Sequence, residues 1–311
     1  MMYGADSVRP VRELGIFMLQ KFNRKNANIL ISINGKLYPR KEARISVFDS
    51  AVQGGDAVWE GLRVYKGKVF LLEEHLDRLF DSAHVLAFQK VPSRDFVRKA
   101  IYKTLKANEM DDGVHIRLTL TRGEKITSGM DPRLNQSGCT LIVLAEWKPP
   151  VFDEEITLIT SAVRRNGPSF LDSKVHHNNL LNNILAKIEA NHAGADGAVM
   201  LDEHGFVAEA NDVNLFCIRK GVICTPLPHA CLPGITRRMV LNICRDYEIP
   251  FEERNLSLAE FYTADEVFAT GTMGELVKVA AIDGRKIANK AGRSWLKVLQ
   301  IYFWDLVEGG D

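Results

Sequence analysis

The sequence holds no Cys-x-x-Cys pair: its five cysteines, Cys139, Cys217, Cys224, Cys231 and Cys244, are scattered through 311 residues. An odd, unclustered set offers neither a disulfide framework nor zinc-ligand spacing, so reduced, mostly buried thiols in the cytoplasm are expected. No apolar run approaches the ~20 residues that a membrane helix requires; the longest clean ones, such as Thr140 to Ala145, suit buried strands. The short apolar piece Leu14 to Leu19 is broken by Gly15 and followed by basic residues, which reads as an amphipathic arm and not a signal peptide. An excess of either charge is also missing. With 40 Lys+Arg against 39 Asp+Glu the net charge is +1, which argues against a dedicated binder of nucleic acid or of an anionic membrane. There is no internal repeat or low-complexity tract, and no GxxxxGK[ST] loop, HExxH helix or GxSxG elbow.

What is present is an interleaving of strand and helix signals. Ile29 to Ile33 alternates, Asn34-Gly35 follows and Lys36 to Tyr38 resumes, the pattern of a hairpin whose two turn residues tolerate positive φ. Trp59 to Tyr65 and Val69 to Leu72 flank a second turn, and Glu73 to Leu86 then carries apolar residues at helical spacing. Ser93 is placed to cap a helix through Asn108, and β-branched residues mark strands at Val114 to Thr121 and Thr140 to Glu146. Two prolines in Trp147-Lys148-Pro149-Pro150 favour an extended linker. Beyond it, strands are expected at 156–161, 197–201, 214–219 and 266–270, helices at 179–193, 236–247 and 292–306, and a late hairpin around Asp283-Gly284. The division is therefore an arm at 1–28, a small α+β domain at 29–146, a linker at 147–153 and a large domain at 154–311. Without strict βαβ alternation, a two-domain α+β fold fits better than a doubly wound sheet.

A few residues could carry chemistry. Leu232-Pro233-Gly234-Ile235-Thr236-Arg237 leads into an amphipathic helix, whose free N–H groups and positive dipole end favour an anion such as a phosphate. Gly271-Thr272 forms a second corner at the end of a strand, and the two could share one phosphate. Glu209 stands five residues before the apolar strand Asn214-Leu215-Phe216. Periodicity alone does not single out Lys174. The neighbours His176-His177 diverge on either kind of backbone, and no acidic or cysteine cluster at ligand spacing accompanies them, so they give no metal site.

Taken together these segments resemble the class IV aminotransferases that use pyridoxal 5′-phosphate, the fold-type IV group of branched-chain and D-amino acid aminotransferases and aminodeoxychorismate lyase. Glu209, Asn214-Leu215-Phe216, Thr225 and Leu232-x-Gly-Ile-x-Arg237 follow one another as in that group's signature. Trp59-Glu60-Gly61-Leu62-Arg63 resembles the branched-chain Phe-Glu-Gly-Ile-Arg segment, and Glu74-His75-x-x-Arg78-Leu79 resembles the family's Glu-His-x-x-Arg-Leu. The resemblance implies Lys174 as the Schiff-base lysine and Glu209 as partner of the pyridine nitrogen. It also implies Arg78, Ile235, Thr236 and Thr272 around the phosphate and Leu232 against the ring. Trp59, Arg63 and Gly54 would line the substrate pocket. It further implies a homodimer with its active site at the interface, with residues 121–131 as a loop reaching toward the partner.

The implied reaction moves an amino group between an amino acid, with branched-chain or large apolar side chains favoured, and a 2-oxo acid. D-amino acid or (R)-amine transamination, pyruvate-eliminating lyase chemistry and a non-catalytic binding protein are the alternatives. The departures lie around the substrate. Gly54 stands in place of a branched-chain tyrosine, His176-His177-Asn178-Asn179 has no tyrosine after Lys174, and the Arg-x-His pair of D-amino acid enzymes is absent after Thr121-Arg122-Gly123.

Overall fold

The structure is a computed structural model that describes residues 21–152, 155–287 and 294–309. The segment Leu14 to Leu19 lies outside the described residues. Local rules build the first half. Asn34 and Gly35 take φ of 52° and 77°, the two positive values that a tight hairpin needs, and they join β1 (Leu30–Ile33) to β2 (Lys36–Pro39). After the short helix α1 (Ser50–Gly54), β3 (Ala57–Tyr65) turns into β4 (Lys68–Val69). This last strand is shorter than expected because Leu71, at φ 48°, turns the chain into α2 (Leu72–Val85). The Ser93 hydroxyl accepts from the Phe96 N–H and starts α3 (Arg94–Ala107), and β5 (Val114–Thr121) and β6 (Thr140–Trp147) complete the sheet.

These six strands form one antiparallel sheet in the order β2-β1-β6-β5-β3-β4. Strand β5 shows why one face is buried: Val114, Ile116, Leu118 and Leu120 are buried while His115, Arg117 and Thr119 are less so, the period-2 alternation of a half-covered sheet. The buried set packs with Leu76 and Leu79 of α2 and Ile101 of α3 in one core.

The second sheet is mixed. Its strands are β7 (Glu155–Thr160), β8 (Gly197–Leu201), β9 (Val207–Ala210), β10 (Asn214–Arg219), β11 (Val222–Thr225), β12 (Phe251–Glu253), β13 (Glu266–Gly271) and β14 (Glu275–Ile282), with β15 (Arg285–Lys286) on β14. The order is β12-β11-β10-β13-β14-β7-β8-β9. The pairs β11–β12, β14–β7 and β7–β8 are parallel. Helix α4 (Leu181–Ala193) starts two residues later than expected, after a stretch that runs along β3 and places the Asn178 N–H on the Ala57 carbonyl. Helix α5 (Ile235–Asp246) and α7 (Trp295–Gly309) enclose Phe216 and Phe268 on one face, and α6 (Leu258–Tyr262) packs on the other. Helix α7 was expected from Gly292, which lies outside the described residues. Its Phe303 and Trp304 meet Phe70 and Tyr65 of the first half edge-on, so the C-terminal helix ties the two sheets together.

Candidate active site

Two adjoining cavities of ≈ 210 and ≈ 290 Å³ lie where the sheets meet, and Trp59, His176, Glu209, Asp212 and Leu232 line both. Joined, they fall within the roughly 300–1,000 Å³ of small-molecule sites.

One end is an anion cup. Gly234 precedes α5 without a side-chain cap, so the first N–H groups of the helix are free for a ligand. Only glycine fits there, because a Cβ would come 2.0 Å from Asn214 Oδ1. Ile235 and Thr236 of the first turn face Thr270 and Thr272 across the cavity. The Thr270 hydroxyl is buried and unpartnered, a polar atom left for a ligand. Arg78 reaches the same cavity from α2. Its guanidinium donates twice to buried Glu60, at 2.8 and 2.7 Å, and to the Pro233 carbonyl at 3.3 Å.

The middle holds a buried acid. Glu209, 5% exposed, accepts from Arg165 Nε at 2.6 Å and from Asn214 Nδ2 at 3.0 Å. Burial raises its pKa, and the Arg165 charge opposes that rise. Such a carboxyl can share a proton with a basic nitrogen brought into the cleft.

The other end is made by residues 173–178, which cross β3. The Trp59 N–H donates to the His176 carbonyl, the Asn178 N–H to Ala57, and Val58 bridges His177 antiparallel. The His176 ring is tilted on Trp59 with centroids 4.1 Å apart, and its Nδ1 is 3.1 Å from Glu60 Oε1. Burial lowers the His176 pKa to about 4 against the pull of Glu60. At neutral pH Nδ1–H therefore donates to the carboxylate and Nε2 carries a lone pair. His177 is buried with both ring nitrogens unpartnered.

Of the residues expected from the sequence, the structure brings Arg78, Glu209, Leu232, Ile235, Thr236, Thr272 and Trp59 to this cleft. It does not bring three others. The Lys174 side chain is 43% exposed, with Nζ 3.8 Å from Asp172 Oδ1, and it lines neither cavity. The pairing with β3 turns His176, not Lys174, into the cleft. Gly54 is exposed at the end of α1 and also lines neither. Arg63 is buried behind the anion cup, donating to the Lys148 carbonyl at 2.6 Å, and borders a separate small void. Period-2 spacing from Trp59 puts Arg63 on the same sheet face, but four residues along a strand is about 13 Å, which carries it past the cleft.

Sequence reasoning missed Arg165, Glu60 and Arg117. Arg117 lies 3.3 Å from the Trp59 ring centroid and donates to Asn178 Oδ1 at 2.7 Å, so it holds both Trp59 and the crossing segment. Its place on the less buried face of β5 was the signal available. Among the described residues, no group of three or more His, Cys, Asp or Glu could hold a metal ion.

The sequence model of the amino-transferase class IV family matches residues 57–282. The chain is 56% identical over 286 residues to branched-chain-amino-acid aminotransferase-like protein 1 of Arabidopsis thaliana, covering 91% of this chain and 52% of that protein. It is 34% identical to the branched-chain-amino-acid aminotransferase of Pseudomonas aeruginosa, covering 90% and 93%. The chain thus spans about half the length of the Arabidopsis protein and nearly all of the bacterial one. Among solved structures, the T.th. branched-chain amino acid aminotransferase complexed with N-(5′-phosphopyridoxyl)-L-glutamate superposes with a TM-score of 0.83 at 33% identity, covering 91% of this chain and 95% of that one. The Escherichia coli branched-chain enzyme gives 0.84 at 28% identity, with 91% and 95% covered.

Proposed function

Because the chain belongs to the class IV aminotransferases, we propose that its cleft binds pyridoxal 5′-phosphate and serves the transfer of an amino group between an amino acid and a 2-oxo acid. The observation that carries this is the anion cup: the Gly234 turn, the first turn of α5, Arg78 and the unpartnered Thr270 hydroxyl converge on one volume bordered by Glu209. The phosphate and pyridine parts of the cofactor fit these residues. When bound, the cofactor supplies a carbonyl that takes up an amino group and a ring that accepts electron density from the adjacent carbon.

Each residue then has a physical task. The α5 N-terminus and Thr236 hold the phosphate by N–H and O–H donors, and Arg78, locked by Glu60, presents a fixed positive charge. Glu209, aligned by Arg165 and Asn214, keeps a ring nitrogen protonated. Leu232 and Trp59, which line both cavities, would border the ring and exclude water. The amine that the family's chemistry takes from a lysine does not fit the same way, since Lys174 stands outside the cleft.

The branched-chain names of the relatives support an amino acid with a branched or large apolar side chain as donor. We further read the protein as a homodimer of two-domain subunits divided at 147–153. Leu181, Ile184, Leu185 and Ile188, all exposed, form one apolar stripe on α4, the face a second copy would cover. The unpaired cysteines suit a reducing cytoplasm.

The test is a titration with pyridoxamine 5′-phosphate followed by its conversion with 2-oxo acids. Saturable binding, and conversion fastest with a branched-chain 2-oxo acid, are expected. Absence of binding refutes the reading.

A further inference from the structure

Among the described residues, no lysine amine is free in the cleft for the cofactor, and the segment that should supply one is fixed in register from both sides. Before His176, Val175 is buried in the core of the first sheet and the Ser173 hydroxyl donates to the Asn166 carbonyl at 2.6 Å. At His176 itself, the N–H donates to Ser82 Oγ at 3.1 Å. After it, Asn178 is held by Ala57 and Arg117. Moving Lys174 to the place of His176 would open the turn closed by the Val175 N–H on the Asp172 carbonyl, slide the chain along β3 by two residues, about 7 Å, and break each of these contacts.

Among the described residues, the one lysine lining either cavity is Lys187 of α4, and its amine donates to the Asp196 backbone carbonyl. The side chain at the junction is an imidazole. A carbonyl carbon condenses with a lysine's primary amine to a C=N bond, with loss of water; an imidazole can accept and return a proton and cannot make that bond.

We infer that this chain holds pyridoxal and pyridoxamine phosphate without a covalent bond to any of its lysines, with His176 facing the bound cofactor at the position where a lysine tether would be needed. The inference rests on the proposed cofactor site and deepens it. Its consequence is a flat preference. With no covalent bond to gain, the aldehyde and amine forms are held by the same cup and the same ring contacts, so their affinities are similar. A lysine-tethered site favours the aldehyde. His177, buried and unpartnered beside the same cavity, offers a second neutral nitrogen to the ligand.

The experiment uses the whole chain. Its affinities for pyridoxal phosphate and pyridoxamine phosphate are measured by equilibrium dialysis. The complex with one equivalent of the aldehyde is then reduced with borohydride, which adds hydride to the carbon of any C=N bond and fixes it, and is mapped by peptide mass. Similar affinities and no pyridoxyl group on the peptides spanning Lys174 and Lys187 are expected. His176→Lys should gain a pyridoxyl group at position 176, and Lys174→Ala should leave pyridoxamine phosphate binding unchanged.

A pyridoxyl group on Lys174 or Lys187 of the unaltered chain overturns the inference and leaves the proposed function standing. So does a strong preference for the aldehyde. If His176→Lys binds pyridoxamine phosphate but takes no covalent group, the placement of His176 is wrong. If the unaltered chain binds neither form, the proposed function and the inference fall together. The mass map and the affinity ratio of the unaltered chain decide the matter even where the lysine variant does not fold.

Discussion

Glu60 has no exposed surface and still carries three cationic or imidazole partners: Arg78, His75 at 2.7 Å and His176. Burial works against its charge, but Arg78 and His176 outweigh burial and hold its pKa well below the usual value. Burial depresses two imidazoles. His176 falls to about 4, and His115 falls to about 3 through burial and the charges of Lys148, Arg63 and Arg117. In the unfolded chain both titrate near 6.5. Between these values the unfolded state binds more protons than the native one, so stability rises with pH across that window. Urea denaturation should therefore give its highest midpoint above about pH 6.5, with a decline on acidification toward 4 that precedes carboxylate protonation. His115→Asn should shrink that decline; a decline of unchanged size would mean that another group carries it.

At the scale of elements, α5 shows how a local rule becomes a binding feature. Its amphipathic pattern, the Pro-Gly turn before it and the uncapped start were legible because all of them depend on residues a few positions apart. The reason glycine is required at 234 was not, since the obstructing atom, Asn214 Oδ1, comes from β10. Asn214 cannot step aside without giving up Glu209 and the Leu232 carbonyl, which accept from its amide. Gly234→Ala should thus lower stability by about 1–3 kcal/mol, the usual cost of overpacking. It should also weaken pyridoxamine phosphate binding more than the stability loss alone accounts for. Thermal unfolding and dialysis on the same variant separate the two effects. The crossing of β3 by residues 176–178 is the opposite case, since nothing in the local sequence announces a pairing across more than a hundred positions.

For the whole molecule, the decisive surface is the one that α4 leaves uncovered. Leu181, Ile184, Leu185 and Ile188 recur at i, i+3, i+4 and i+7, and each is at least 42% exposed, whereas the opposite side buries Ala186 and Ala190 against β8. A stripe of this kind is ordinarily covered. Sedimentation should give twice the chain mass, and the double variant Leu185→Glu with Ile188→Glu should shift it to a single chain with its circular dichroism retained. A single-chain mass for the unaltered protein would refute the dimer. Ile184 lines the second cavity, so partner and pocket would share one helix.

The sequence by itself determined the turns, the Ser93 cap, the α5 anion cup and the order in which Arg78, Glu209, Leu232 and Thr272 appear, because each depends on backbone conformation or spacing within a short window. Tertiary structure decided which side chain of residues 174–178 meets the cleft. The pairing of His176 and His177 with β3 puts the His176 ring in the cleft, while the turn just before it, closed by the Val175 N–H on the Asp172 carbonyl, leaves Lys174 in solvent. It likewise decided that Glu209 has Arg165 as its counter-charge, since burial of an ion pair is a property of the packed whole and of no single segment.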